Sequence, residues 1–203
     1  MELEFPKLDA SLLQPGTPES IPVPAGQFWV FAYGSLMWDP GFEYREAIAA
    51  TLKGYHRRLC LWSIRYRGTE DRPGLVLGLD RGGSCRGYAY HVDGTLTASV
   101  VEYLCDRELL IGSYDPRLVP VTLEDGRRVT ALTFVSKPDH PHFAARLTLE
   151  QTVSVVQGAM GARGCNRSYV INTVSHMDHL NISNTELHRV ARRLESTENP
   201  ATS

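Results

Sequence analysis

Phe28-Trp29-Val30-Phe31-Ala32-Tyr33-Gly34-Ser35-Leu36 begins as an unbroken apolar run, breaks into Tyr-Gly-Ser and resumes with hydrophobic residues. A buried strand that ends in a tight loop fits this pattern. Gly34 is able to take positive φ and bring backbone N–H groups close to a ligand, and the hydroxyls of Tyr33 and Ser35 add hydrogen-bonding groups beside it. Such a loop can cradle a carboxylate or a developing oxyanion. The plainer reading is a Gly-Ser turn that ends a strand and does nothing more. The rest of the chain decides between the two.

Outward from that stretch, residues 1–26 carry Pro6, Pro15, Pro18, Pro22 and Pro24 with little periodicity and read as an extended or disordered arm. Residues 27–194 read as one domain and 195–203 as a polar tail. Trp38-Asp39-Pro40-Gly41 is a turn, and Thr51 to Ser63 reads as a strand. Two separate strands are expected at Leu75 to Leu79 and Arg86 to Val92. Leu96 to Leu109 switches to helical spacing, with Val100, Val101, Leu104 and Cys105 as its apolar stripe. A hairpin follows, Leu118 to Leu123 and Val129 to Val135 around Asp125-Gly126. Thr148 to Met160 is a helix with Thr148 at the N-cap and Gln151 as capping-box partner, broken by Gly161 and Gly164. Helices at Asn166 to Met177 and Thr185 to Arg193 complete the domain. Strands first and helices gathered late make an α+β fold, a small antiparallel barrel with helices packed outside.

At 203 residues, 42% hydrophobic, 22% charged and a net charge of -2, the chain has no electrostatic bias toward nucleic acid or an anionic membrane. The pairs Arg57-Arg58, Arg127-Arg128 and Arg192-Arg193 are scattered, so they do not form a nucleic-acid stripe. Ser20 to Trp38 lacks charge, but Pro22, Pro24, Gly26 and Gln27 interrupt it, which argues against a membrane span. Met1-Glu2-Leu3-Glu4 does not open a secretory signal. Cys60, Cys85, Cys105 and Cys165 show no C-x-x-C spacing and read as reduced thiols, so a cytoplasmic location is expected.

Among the acids, Glu108 lies four residues after Leu104 and seven after Val101, on the apolar stripe of its helix and in the last turn. Burial and the helix dipole both disfavour its ionised form there, as suits a group that takes up and releases a proton. The alternative is a frayed helix end with Glu108 in solvent or paired with Arg107. Ile111-Gly112-Ser113-Tyr114 is a turn able to bring the Tyr114 hydroxyl toward the same site. Glu43 and Glu46 belong to a polar segment that reads as solvent-facing and self-paired. The histidines His140, His142, His176 and His179 lack a zinc spacing, and neither Cys105 nor Cys165 has an evident base partner. No metal is expected.

Five ordered blocks carry a resemblance: Trp29 to Leu36, Tyr55-His56-Arg57-Arg58, Arg67-Gly68-Thr69 through Pro73-Gly74, Arg107-Glu108 with Gly112 and Tyr114, and Asn166-x-x-Tyr169. Together, from Gln27 to about Leu194, they resemble the ChaC family of glutathione-specific gamma-glutamylcyclotransferases, of the bacterial type. The resemblance implies a gamma-glutamylcyclotransferase-like fold, a small mixed β-barrel with surrounding helices, and no cofactor. It implies a lyase that cleaves glutathione to 5-oxoproline and cysteinylglycine. It further implies that the loop Val30, Phe31, Ala32, Tyr33, Gly34, Ser35 and Leu36 binds the gamma-glutamyl moiety and that Glu108 accepts the proton. Arg67, Tyr114 and Asn166 are the candidates for the leaving-group side. Ala32 and Cys165 depart from the family pattern, which has glycine and a small hydroxyl residue there, and this bears on affinity more than on reaction type. The rival readings are the same chemistry on another gamma-glutamyl peptide or amine, and a noncatalytic module that binds a gamma-glutamyl ligand or regulates a protein partner.

Overall fold

The apolar run at the centre of the sequence argument is a strand, β1 (Phe28–Ala32), in a computed structural model that describes residues 5–8, 14–23, 26–144, 146–182 and 185–196. The chain divides into two compact units. One comprises Leu12–Arg57 and Gly78–His140, and the other Met1–Ser11, Arg58–Leu77 and Pro141–Ser203.

The first of these is the barrel unit. β1, β2 (Glu46–Ser63), β3 (Gly74–Val92), β4 (Tyr114–Leu123) and β5 (Arg128–Ser136) close in the order β1-β3-β2-β4-β5, with β2 and β3 running on into residues of the other unit. β1 lies antiparallel to β3, with Val30 opposite Tyr90, and parallel to β5, with Val30 opposite Leu132. The barrel is therefore mixed, where strand order alone suggests an antiparallel one. β4 and β5 form the expected hairpin across Asp125-Gly126. The two strands expected at Leu75 to Leu79 and Arg86 to Val92 are one continuous strand. Gly82 and Gly83, at φ +94° and +72°, let the chain turn within it without ending it. The helix α1 (Thr97–Glu108) buries Val100, Val101, Leu104 and Cys105, the stripe read from spacing.

Glu46, read as self-paired in its polar segment, instead meets Arg127 at 3.2 Å, while Arg45 pairs with Asp93. The described part of the proline-rich arm from residue 14 is laid on this unit. Gly16 N–H donates to the Leu109 carbonyl at 2.9 Å, Pro18–Ser20 is a single 3-10 turn and Ile21 is buried. Residues 1–4, 9–13 and 24–25 of the arm, and 197–203 of the tail, lie outside the described residues.

The second unit carries α2 (Leu149–Gly158), a two-residue hairpin of β6 (Met160–Gly161) and β7 (Gly164–Cys165), α3 (Asn166–His179) and α4 (Glu186–Ser196). α2 opens on the capping box expected of Thr148 and Gln151, with both reciprocal bonds present. α4 buries Leu187, Val190, Ala191 and Leu194, one face at helical spacing, and the three helices pack on one another. No helix among the described residues is long and apolar enough to cross a membrane.

Candidate active site

Strand direction gathers several of the expected residues at one end of the barrel. β1 and β5 are parallel, so Ala32 and Ser136 close their strands at the same end, and Tyr114, the first residue of β4, stands directly opposite Ser136. The loop that leaves β1 and the segment that arrives from α1 both belong to this end.

The loop opens into a 3-10 turn, Ser35–Met37, after Gly34. Gly34 has φ −126° and ψ −137°, so the positive φ expected from sequence is not used. Met37 N–H donates to the Gly34 carbonyl at 2.9 Å, and Trp38 and Asp39 both donate to the Ser35 carbonyl at 3.2 and 3.0 Å. The amides of Ser35 and Leu36 precede these donors, at the start of the turn, where an N–H has no carbonyl partner within the turn.

Side chains from three strands fix the backbone of the loop. Arg57 on β2 donates from Nε to the Tyr33 carbonyl at 2.5 Å and from Nη2 to the Arg86 carbonyl at 2.7 Å, with Met37 Sδ at 3.5 Å. Tyr90 on β3 donates its hydroxyl to the Met37 carbonyl at 3.0 Å, and burial raises its pKa well above the usual tyrosine value, so it remains a donor. Thr133 on β5 donates to the Phe31 carbonyl at 3.0 Å. The Tyr33 side chain is buried and its hydroxyl donates to the Phe134 carbonyl at 2.7 Å. The polar side chain that the loop offers is Ser35, while Val30, Phe31, Ala32 and Leu36 are buried packing residues.

From α1, Glu108 arrives half-buried, its side chain 16% exposed, beside an Arg107 side chain only 4% exposed. Both alternatives read from sequence hold in part: Glu108 is turned inward from the helix stripe, and it is paired with Arg107, Nε to Oε1 at 3.3 Å. Arg107 Nη2 then donates to Ser35 Oγ at 2.9 Å, and Nη1 to the Asp39 carbonyl at 2.7 Å and the Tyr103 hydroxyl at 2.5 Å. Tyr103 fits there because residue 41 is glycine. A Cβ on Gly41 would stand 1.9 Å from the Tyr103 hydroxyl oxygen, and its φ of +73° favours glycine independently. The pairing of Arg107 with Glu108 is an alternative read from sequence, whereas the hold of Arg107 on Ser35 and Asp39 and that of Arg57 on the loop backbone are not.

Arg67 and Asn166 belong to the other unit. Arg67 donates from Nη1 to the Arg163 carbonyl and lies 5.2 Å over the Tyr169 ring. Its pKa is lowered chiefly by burial, and it remains charged. Asn166 is fully buried, and its carboxamide completes the backbone of a strand. Oδ1 accepts from Leu75 N–H at 2.6 Å and Nδ2 donates to the Leu75 carbonyl at 2.7 Å. That pairing gives Asn166 a structural task. Among the described residues, no three or more His, Cys, Asp or Glu side chains are grouped to hold a metal ion.

The model of a ChaC-like protein matches residues 28–197, from the first residue of β1 through the end of α4. The chain belongs to the ChaC-like family. Within it, the glutathione-specific gamma-glutamylcyclotransferase of Escherichia coli is 35% identical over 147 residues, which are 72% of this chain and 64% of that protein. The chain thus spans somewhat less than two thirds of that relative's length. Human glutathione-specific gamma-glutamylcyclotransferase 1 is 30% identical over 179 residues, 80% of this chain and 81% of the relative. A crystal structure of the gamma-glutamyl cyclotransferase specific to glutathione from yeast superposes with a TM-score of 0.78 at 20% identity, covering 84% of this chain and 96% of that one. The ChaC-like fold is therefore the gamma-glutamylcyclotransferase fold, mixed α+β about a closed barrel, as the sequence resemblance implies.

Proposed function

We propose that this chain is a gamma-glutamylcyclotransferase that cleaves glutathione to 5-oxoproline and cysteinylglycine, with Glu108 as the proton acceptor. The observation that carries the reading is the placement of Glu108 beside the Ser35 turn, the two joined through Arg107 at 3.3 and 2.9 Å. Family membership and the activities for which the relatives are named support the same reaction. The catalytic domain in this reading is residues 27–194, acting in the cytoplasm. The four cysteines form no disulfide, which fits a reducing compartment.

The chemistry follows from the substrate. A gamma-glutamyl amide carries its own nucleophile, since its α-amine reaches the γ-carbonyl and closes a five-membered ring, but that amine is largely protonated near neutral pH. Glu108 takes the proton, the α-nitrogen bonds to the γ-carbon, and the bond from that carbon to the cysteine nitrogen breaks. The carboxyl then returns that proton to the departing nitrogen, and the second proton shed by the new lactam nitrogen goes to the same amine, which leaves as an ammonium. Water is neither consumed nor needed. Because nucleophile and carbonyl share one molecule, holding the substrate curled is worth effective molarities of about 10⁵ M. The amides of Ser35 and Leu36 are the proposed donors to the substrate carboxylate or to the oxyanion. Tyr114 is proposed to contact the cysteinylglycine portion.

Glu108→Gln keeps the shape and removes the base. Purified wild-type protein is expected to convert glutathione to 5-oxoproline, and the variant to lose that activity by a factor of about 100 or more. Wild-type turnover in the variant refutes the assignment of Glu108.

A further inference from the structure

Arg107 is a buried cation with each of its three nitrogens facing a partner. Nε faces Glu108 Oε1 at 3.3 Å, Nη1 donates to the Asp39 carbonyl and the Tyr103 hydroxyl, and Nη2 donates to Ser35 Oγ at 2.9 Å. The Asp39 carboxylate lies further off, at 3.6 Å from Nη1. Burying a guanidinium is costly, and a packed apolar side chain would serve stability as well or better. Burial opposes the charge of Arg107, yet the Glu108 carboxylate, the Tyr103 hydroxyl and Asp39 together hold its pKa above the usual arginine value.

We propose that Arg107 is a positioning residue for ring closure, one that holds the Glu108 carboxylate and the Ser35 turn at a fixed spacing. The inference rests on the assignment of Glu108 as proton acceptor. Geometry explains why an arginine is needed. The planar fork reaches the acid with one nitrogen and the loop with the other two, whereas a lysine is a point charge that cannot span both. The contacts also divide usefully over the reaction. When Glu108 has taken the proton and lost its charge, the bonds to Ser35 and Asp39 remain, so the turn keeps its place through the tetrahedral intermediate. The guanidinium favours the carboxylate over the acid, which makes protonated Glu108 a readier donor to the leaving amine. The Ser35 hydroxyl, accepting from Arg107, keeps its own proton free to donate.

The test measures steady-state turnover of glutathione across pH for Arg107→Met, Arg107→Lys, Ser35→Ala and the double variant Arg107→Lys/Ser35→Ala, each checked for folding by circular dichroism. Arg107→Met is expected to lower kcat/KM about 100-fold and to move the acid limb of its pH profile upward, because Glu108 loses the neighbouring positive charge. Arg107→Lys is expected to restore the limb toward wild type while KM stays raised roughly tenfold. The double variant is expected to lose less than the product of the two single losses, as coupled contacts do. An unmoved acid limb in a folded Arg107→Met protein overturns the proposal. Should that variant not fold, multiplicative losses in the double variant, or a wild-type KM in Arg107→Lys, overturn it. Glu108→Gln separates the two levels: full turnover in that variant sinks the proton-acceptor reading itself. An inactive Glu108→Gln beside an unmoved limb in Arg107→Met sinks only the role given to Arg107.

Discussion

Arg57 grips the backbone of Tyr33: its Nε donates to the Tyr33 carbonyl at 2.5 Å while its Nη2 donates to the Arg86 carbonyl at 2.7 Å. The arginine ties the proposed cradle to β3 through a side chain of β2, so loop position depends on a residue that need not touch substrate. Arg57→Met keeps the aliphatic stem and removes both bonds. Charge-assisted bonds of this kind are worth about 1.5 to 3 kcal/mol each. The expected result is a rise in KM for glutathione of roughly tenfold or more with a smaller change in kcat, read by steady-state kinetics. A KM within twofold of wild type would show that the loop holds its shape without Arg57.

Asn166 is expected to matter for stability. Both Leu75 backbone groups that it satisfies are buried, and neither has water to turn to once the carboxamide is gone. Asn166→Leu is expected to destabilise the fold by about 2 to 5 kcal/mol, measured by denaturant unfolding. Little change in stability would contradict that structural role.

Asp93 supplies a pH dependence with a definite sign. Its carboxylate accepts from Thr95 N–H at 2.8 Å and the Thr95 hydroxyl at 2.7 Å and pairs with Arg45, which together hold its pKa down at about 2, below the usual 3.8. A depressed folded-state value means stability that is complete above the unfolded value and lost as pH falls through the folded one. Asp93→Ala is therefore expected to have a lower Tm than wild type at neutral pH, with the gap closing between pH 3.8 and about 2. A gap independent of pH over that range would mean that the charge is not what stabilises the turn ahead of α1.

Local signals were legible in the sequence and long-range ones were not. The capping box at Thr148 and Gln151, the Asp125-Gly126 hairpin and the α1 stripe each depend on neighbours in the chain, and each stands as read. Glu108 could be singled out for the same reason, since helical spacing puts it on the buried face. The continuity of β3 was missed because Gly82 and Gly83 look like a terminus in sequence while serving as a bend in the fold. The tasks of Arg57, Arg107 and Asn166 were hidden for another reason. Apart from the local contacts of Arg107 with Tyr103 and Glu108, their partners are backbone carbonyls, an amide or a hydroxyl far along the chain, and no side-chain pattern announces such contacts. The parallel pairing of β1 with β5 was equally invisible, and it is what places the Ser35 turn and Tyr114 at the same barrel end.

The central claim is that the substrate's own amine performs the attack, and turnover of glutathione in heavy-oxygen water tests it most directly. Mass spectrometry of the products is expected to find 5-oxoproline with no heavy oxygen incorporated, together with equimolar cysteinylglycine. Free glutamate carrying heavy oxygen in its side-chain carboxyl would mean that water is the nucleophile, and the account of ring closure at Glu108 would be contradicted.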